Sequence, residues 1–262
     1  MGILNVTPDS FAERGARLDP AAAADDGVRM EADGADLIDV GGESTRPGAE
    51  PVSADEERAR VLPVIRALRG RVRVPISIDT YKAGVARAAI DAGAAIVNDV
   101  SGLKYDPALA GVVAESGAAI VLMHTRGKPQ TMMAEALYED VVREIAAELR
   151  GSLASATAAG VGIERIIVDP GIGFAKRPAH SYGVLARLPE LAAELGRPLL
   201  VGASRKSFLR AAVDDRPAPE RDWGTAAAVT AAVLAGAHIV RVHAVAEMVQ
   251  VVRVADQIRR HG

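Results

Sequence analysis

Residues 2–41 read GILNVTPDSFAERGARLDPAAAADDGVRMEADGADLIDVG. A short apolar run, GILNV (2–6), leads into a polar loop. An alanine-rich stretch of helix-forming residues follows from Pro20 to Ala32, and then a second apolar run, ADLIDVG (35–41). Strand, loop, helix and strand in that order make one right-handed βαβ unit, whose two strands lie parallel. The same cycle continues through VPISID (74–79), AAIVND (94–99), AAIVLMH (118–124), RIIVD (165–169), PLLVGAS (198–204) and HIVRVH (238–243). Each run is bounded by Gly, Pro or a charge, as strands are. Further helix-like segments rich in Ala, Leu, Glu and Arg span Asp55 to Leu68, Glu135 to Ala159 and Glu247 to Arg260. Eight units in 262 residues predict an α/β fold of the closed (β/α)8 TIM-barrel type. An open doubly wound sheet would need a dinucleotide fingerprint, but its nearest match, Gly171-Ile-Gly173, meets Lys176 where the third glycine belongs. With no linker or charge block to divide it, the chain reads as one domain over 1–262.

Composition narrows the function. Hydrophobic residues make up 49% and charged residues 25%, as in an ordinary globular protein. Aromatics are only 3%, so Ala, Val, Leu and Ile must fill the core, and a stacking platform for single-stranded nucleic acid is not expected. The formal charge, 31 − 34 = −3, and the lack of a basic stripe argue against a phosphate-backbone partner. Zero cysteines exclude disulfides, thiolate-bound metals and thiol catalysis. The opening residues carry no basic segment, and no apolar run approaches the roughly 18 residues of a membrane span. A cytoplasmic protein without membrane or nucleic-acid partners is the expectation.

Buried parallel strands are apolar nearly throughout, so polar residues near their ends need a reason. Here the runs end on Asn5, Asp39, Asp79, Asn98, His124, Asp169, Ser204 and the pair Arg241 and His243. The C-terminal strand ends of a barrel form the rim on which active sites are built. Period-2 alternation puts Arg241 and His243 on one face with Ile239, and Val240 and Val242 on the other. The same rule sets His238 and His243 on opposite faces, which opposes a histidine metal site. His180 and His261 read as surface residues.

Two loops combine Gly or Pro with hydroxyls and charge: Asn5-Val-Thr-Pro-Asp-Ser-Phe11 and Gly41-Gly-Glu-Ser-Thr-Arg-Pro-Gly48. After strand seven, Ser204-Arg205-Lys206-Ser207 sets two cations and two hydroxyls at the expected start of a helix, which favours an anion. Carboxylates and an amide suit the donor edge of a flat heterocycle, whereas Arg46, Lys206, Arg241 and His243 suit phosphate or carboxylate. The residues therefore point to a small-molecule enzyme with a heterocyclic, anionic substrate.

At these positions the chain closely resembles the dihydropteroate synthase family, pterin-binding TIM-barrel enzymes. The strings that carry the resemblance are Gly2 to Phe11, Asp39 to Gly48, Ser77-Ile-Asp-Thr80, Asn98-Asp-Val-Ser101, Asp169-Pro-Gly-Ile-Gly-Phe174, Ser204-Arg-Lys-Ser-Phe208 and Arg241-Val-His243. The resemblance implies a transferase that joins 6-hydroxymethyl-7,8-dihydropterin diphosphate to p-aminobenzoate, giving 7,8-dihydropteroate and diphosphate, with Mg2+ as cofactor and a homodimer formed through outer helices. It implies Asp79, Asn98, Met123, Asp169 and Lys206 around the pterin. Asn5, Thr45, Arg46, Ser204, Arg241 and His243 would serve the diphosphate, with Asn5 as metal ligand. Phe11, Thr45, Arg46, Pro47, Phe174, Lys206 and Ser207 would serve p-aminobenzoate, and Glu13 would join the catalytic residues. The chain departs from the family pattern at Ala12, Glu13, Arg14 and Ala244. A catalytically weakened pterin-binding relative and a pterin-dependent methyltransferase are the alternatives.

Overall fold

The computed structural model describes residues 1–7, 19–46 and 48–262. Eight short parallel strands alternate with helices: β1 (Gly2–Asn5), α1 (Pro20–Ala32), β2 (Ile38–Gly41), α2 (Ala54–Leu68), β3 (Ile76–Asp79), α3 (Ala83–Ala92), β4 (Ile96–Asp99), α4 (Ala108–Ser116) and β5 (Ala119–Met123). Then follow α5 (Val141–Ala158), β6 (Ile166–Asp169), α6 (Pro178–Ala186), α7 (Leu188–Leu195), β7 (Leu200–Val201), α8 (Asp222–Leu234), β8 (Ile239–Val240) and α9 (Val245–His261). Strands β1 to β6 pair in sequence order and β7 pairs with β8. Single parallel bridges, Val168 to Leu199 and Gly2 to Val242, join the two groups and close the cylinder. The expected (β/α)8 barrel is thus the observed fold.

Local chemistry starts the elements where it should. Asp19 accepts from Ala21 N–H ahead of Pro20, and Ser53 accepts from Glu56 N–H, so α1 and α2 each begin on a capped turn. Inside the barrel, Met1, Ile96, Val121 and Leu200 are buried together, with Leu37, Ile167 and Ile239 against them. Val240 and Val242 pack instead with α8 and α9, as alternation requires. The remaining core lies between strands and helices and is built almost wholly of Ala, Val, Leu and Ile.

Two expectations change. The helix expected from Glu135 begins at Val141, because the Asp140 side chain accepts from Val142 and Arg143 N–H and starts it there, leaving residues before it in turns. The seventh and eighth strands shrink to two residues each. Beyond them the pairing continues as isolated bonds, Arg241 N–H to Val201 O and, with the first strand, Val242 N–H to Met1 O and Ile3 N–H to Val242 O, each at 3.0 Å.

Leu68, wholly buried, lies against Gly27 of α1, where a Cβ would stand 2.6 Å from Leu68 Cδ2. The glycine makes room for the leucine that locks α1 to α2. Leu68→Ala is expected to cost about 2–5 kcal/mol, read as a lowered urea midpoint, with no change at the barrel mouth.

Candidate active site

The site centres on Arg241, just past β8. Its Nε donates to Asp39 Oδ2 at 2.6 Å and its Nη2 to Asp79 Oδ2 at 2.8 Å. Asn98 Nδ2 donates to the same Asp39 oxygen at 3.0 Å. One guanidinium from the last strand therefore joins carboxylates on β2 and β3, and the amide on β4 is tied to the pair. Asp39 lies within its strand and is wholly buried; it works as the anchor beneath the mouth, a role that the alternation of residues did not reveal. Burial pushes the Asp79 carboxyl up to about 7, with Arg241 opposing and Asp39 adding to the rise.

Asp169 ends β6 on the opposite side. Its Oδ1 accepts from Gly171 N–H at 2.7 Å, while burial raises its pKa and the Lys206 charge resists that rise. Lys206 donates to Ile172 O at 2.6 Å and stands 4.6 Å from the centre of the Phe174 ring. Burial brings its ammonium down to about 8, with Asp169 opposing. A Cβ on Gly202 would sit 3.6 Å from Lys206 Nζ and 4.0 Å from Asp169 Oδ2, so this glycine keeps the space above both groups open.

His243 and Ser204 form a second pair. Ser204 Oγ accepts from His243 N–H at 3.2 Å and lies 2.9 Å from His243 Nδ1. Burial and the charges of Arg241, Arg205 and Arg46 hold the imidazole down to about 3, so the ring is neutral. With Nδ1 accepting from the serine hydroxyl, the proton sits on Nε2 and is left as a donor. Ala244, at the N-cap of α9, provides no side-chain cap beside it.

The second loop reaches the same mouth. Thr45 and Phe174 line one small apolar recess with Tyr81, Tyr105 and Met132. Arg46 is exposed, and Gly48 N–H donates to Pro129 O, so this loop rests on the segment after β5. Met123 is buried at the end of β5, and Ser207 is exposed. Asn5 ends β1 at the rim, and its carboxamide has no hydrogen bond among the described residues. Phe11, Glu13 and Pro47, with the departures Ala12 and Arg14, lie outside the described residues.

Some expectations fail here. Arg205 is not a cation of the mouth: its backbone is left-handed (φ +57°) and its guanidinium turns to α8, where Nε and Nη2 each donate to Asp222 at 2.7 Å. The segment Ser207–Ala211 is a five-residue 3₁₀ turn rather than an α-helix, so the anion-binding helix start expected there does not exist. His124 is buried behind the mouth with Lys176, a residue the sequence reading passed over although a charge amid Gly and Ala was its signal. No group of three or more His, Cys, Asp or Glu residues able to hold a metal occurs among the described residues, and no helix among them is long and apolar enough to cross a membrane.

Three carboxylates, an amide and two partly buried cations at the C-terminal rim define a barrel enzyme that grips a small polar ring beside an anion. Comparison with known proteins agrees. The family model for pterin binding enzymes matches residues 1–243. The dihydropteroate synthase of Synechocystis sp. is 48% identical over 99% of this chain and 90% of its own length. The structure of Xanthomonas albilineans dihydropteroate synthase with 4-aminobenzoic acid matches at a TM-score of 0.92, with 41% identity, over 99% of this chain and 92% of that one. The Xanthomonas albilineans enzyme in complex with 7,8-dihydropteroate matches at 0.89, with 39% identity and the same coverage. The chain belongs to the pterin-binding enzyme family and, within it, to the dihydropteroate synthases.

A pH test follows from Asp79. Its folded pKa stands near 7, against 3.8 as the ordinary value, so between these limits the folded chain holds a proton that the unfolded chain releases. The stability this group contributes is present below pH 4 and is lost as the pH rises through about 7. Asp79→Asn removes that dependence. Urea midpoints at about pH 4.5 and about pH 7.5 should show the variant gaining on the wild type as the pH rises.

Proposed function

We propose that this barrel joins 6-hydroxymethyl-7,8-dihydropterin diphosphate to p-aminobenzoate by dissociative substitution, the C–O bond to diphosphate breaking before the amine attacks. The observation that carries this reading is the position of Arg241, which belongs at once to the carboxylate pocket and to the anion side of the mouth. Asp79, Asn98, Met123, Asp169 and Lys206 hold the pterin, the carboxylates accepting from its donor edge. Arg241, the Nε2–H of His243, Ser204, Thr45 and Arg46 receive the diphosphate and offset the charge that builds on it as it leaves. Asp79 and Asp169 stabilise the positive charge left on the pterin. Phe174, Lys206, Thr45, Arg46 and Ser207, with Phe11 and Pro47, form the p-aminobenzoate side, and Glu13 approaches the arylamine. No protein nucleophile is needed.

Asn5 suits Mg2+ that arrives with the diphosphate. Its amide oxygen and Asp79 Oδ2 both lie within 4 Å of where a Cβ on Gly41 would stand, at 3.8 and 3.6 Å, so a carbonyl donor and an acidic group share one corner. One oxygen donor fits a metal whose other ligands are substrate phosphates and water. When bound, Mg2+ supplies further neutralisation of the leaving group. For the assembly we propose a homodimer through outer helices, supported by exposed Trp223 and Leu234 on α8 and Val254 and Ile258 on α9. A cytoplasmic location fits a chain with such substrates.

Incubation with both substrates should release diphosphate together with dihydropteroate, and absence of product overturns the assignment. Asp169→Asn is expected to fold normally while its affinity for the pterin diphosphate, read by calorimetry, falls about ten- to a hundredfold, since a charge-assisted bond is worth about 1.5–3 kcal/mol. Titration of Mg2+ into the substrate-free protein should give weak heats that strengthen once the pterin diphosphate is present. Tight stoichiometric Mg2+ without it would refute the metal assignment.

A further inference from the structure

The loop after β6 ends on Phe174-Ala175-Lys176, and the active-site reading leaves its lysine without a role. Lys176 is 3% exposed and forms no ion pair among the described residues. Buried lysines normally have a carboxylate partner. Instead its Nζ donates to Phe174 O at 3.0 Å and approaches His124 Nδ1 to 2.9 Å. Burial holds its pKa well below the ordinary lysine value. These two acceptors take two of its N–H groups. His124, itself held neutral by burial, accepts at Nδ1 and turns Nε2 to within 3.3 Å of Glu148 Oε2 on α5.

The backbone between Phe174 and Lys176 explains what the amine holds. Ala175 is left-handed, with φ +47°, a conformation that costs an alanine energy and persists only where its surroundings impose it. Two side chains do so: Lys176 holds the carbonyl of Phe174, and Tyr138 Oη donates to the carbonyl of Ala175 at 3.0 Å. From this pinned backbone the Phe174 ring reaches the Lys206 ammonium and the recess it shares with Thr45.

We propose that Lys176, set by His124, is a positioning residue for the arylamine side of the site, acting through the backbone of Phe174. The inference rests on the assignment of Phe174 to p-aminobenzoate made above. A residue that only filled space would affect stability and leave the balance between substrates alone.

Steady-state kinetics on the full chain, with Tm recorded for each variant, test this. Lys176→Met keeps the length and removes the donors; it should raise KM for p-aminobenzoate about fivefold or more while KM for the pterin diphosphate stays within about twofold. His124→Leu should show the same split, and His124→Asn, whose amide oxygen can stand near the place of Nδ1, should restore most of it. Phe174→Ala alone should raise KM for p-aminobenzoate, and adding Lys176→Met should then change it by less than about twofold, because coupled residues are not additive. If Lys176→Met does not fold, Tyr138→Phe removes one hydroxyl from the adjacent carbonyl and should show the same split at about twofold. No effect of Phe174→Ala overturns the subsite reading and this inference with it. An effect of Phe174→Ala with none from Lys176→Met, multiplicative effects of the two, or equal losses toward both substrates overturns the positioning role alone.

Discussion

A guanidinium shared by two carboxylates, its side chain 18% exposed, sets the terms for the rest of the molecule. Arg241 stands after the last strand, while Asp39 and Asp79 belong to the second and third. Removing Arg241 would leave the wholly buried Asp39 without its counter-ion, a loss larger than a surface ion pair could cause. The pairing also has a topological consequence. The ladder between β8 and β1 is a single bridge, too slight to hold the barrel shut alone, and Arg241 reaches across that seam to the strands beyond. The residue after the last strand is thus tied to the two strands that carry the site's carboxylates.

A second group of charges holds the loop after β2. Lys82 pairs with both Glu43 and Glu57, and Tyr81 Oη donates to Glu43 at 3.0 Å. Glu57 belongs to α2 and is almost fully buried; burial raises its pKa and Lys82 opposes that rise. The lysine thus fastens the root of the loop carrying Thr45 and Arg46 to a helix and to the start of the next βα unit. The far end of the loop rests on the segment after β5, where Gln130 Nε2 donates to Ala49 O at 2.6 Å. The polar groups of the rim sit on strand ends, while Thr45 and Arg46 of the second loop sit on a span supported at both sides.

The strands were legible because a buried parallel strand allows little but apolar residues, so every run from GILN to HIV stood out, as did the polar ends that make the rim. Their lengths were not legible. PLLVGAS and HIVRVH look like full strands, yet Gly202 leaves the ladder early and only two residues of each pair regularly. The destination of long side chains was legible only in part. Arg205 and Lys206 are neighbours, and nothing local says that a left-handed backbone at the first sends it to Asp222 while the second goes to Asp169. His124 ends its run as Asp169 does, but it turns back into protein because Lys176, 52 residues later, supplies a donor there. Such outcomes depend on partners that only the closed barrel brings together.

The balance of charge in the pocket bears on the direction of the chemistry. Asp39 and Asp169, both buried, and the partly buried Asp79 face two partly buried cations, Arg241 and Lys206. With Asp79 pushed up to about 7, a proton on that group brings the cluster to neutrality, which is how an empty site with three carboxylates avoids a large desolvation penalty. A ring whose donors bind there would displace that proton to solvent and leave an ionised acceptor aimed at it. In the reaction proposed above, the ring would become positive beside the carboxylates as the bond to diphosphate breaks, and the departing group more negative beside Arg241 and His243. On that proposal both halves of the cluster would be better compensated as the bond lengthens, so the electrostatics would favour separation of the fragments more than the intact substrate.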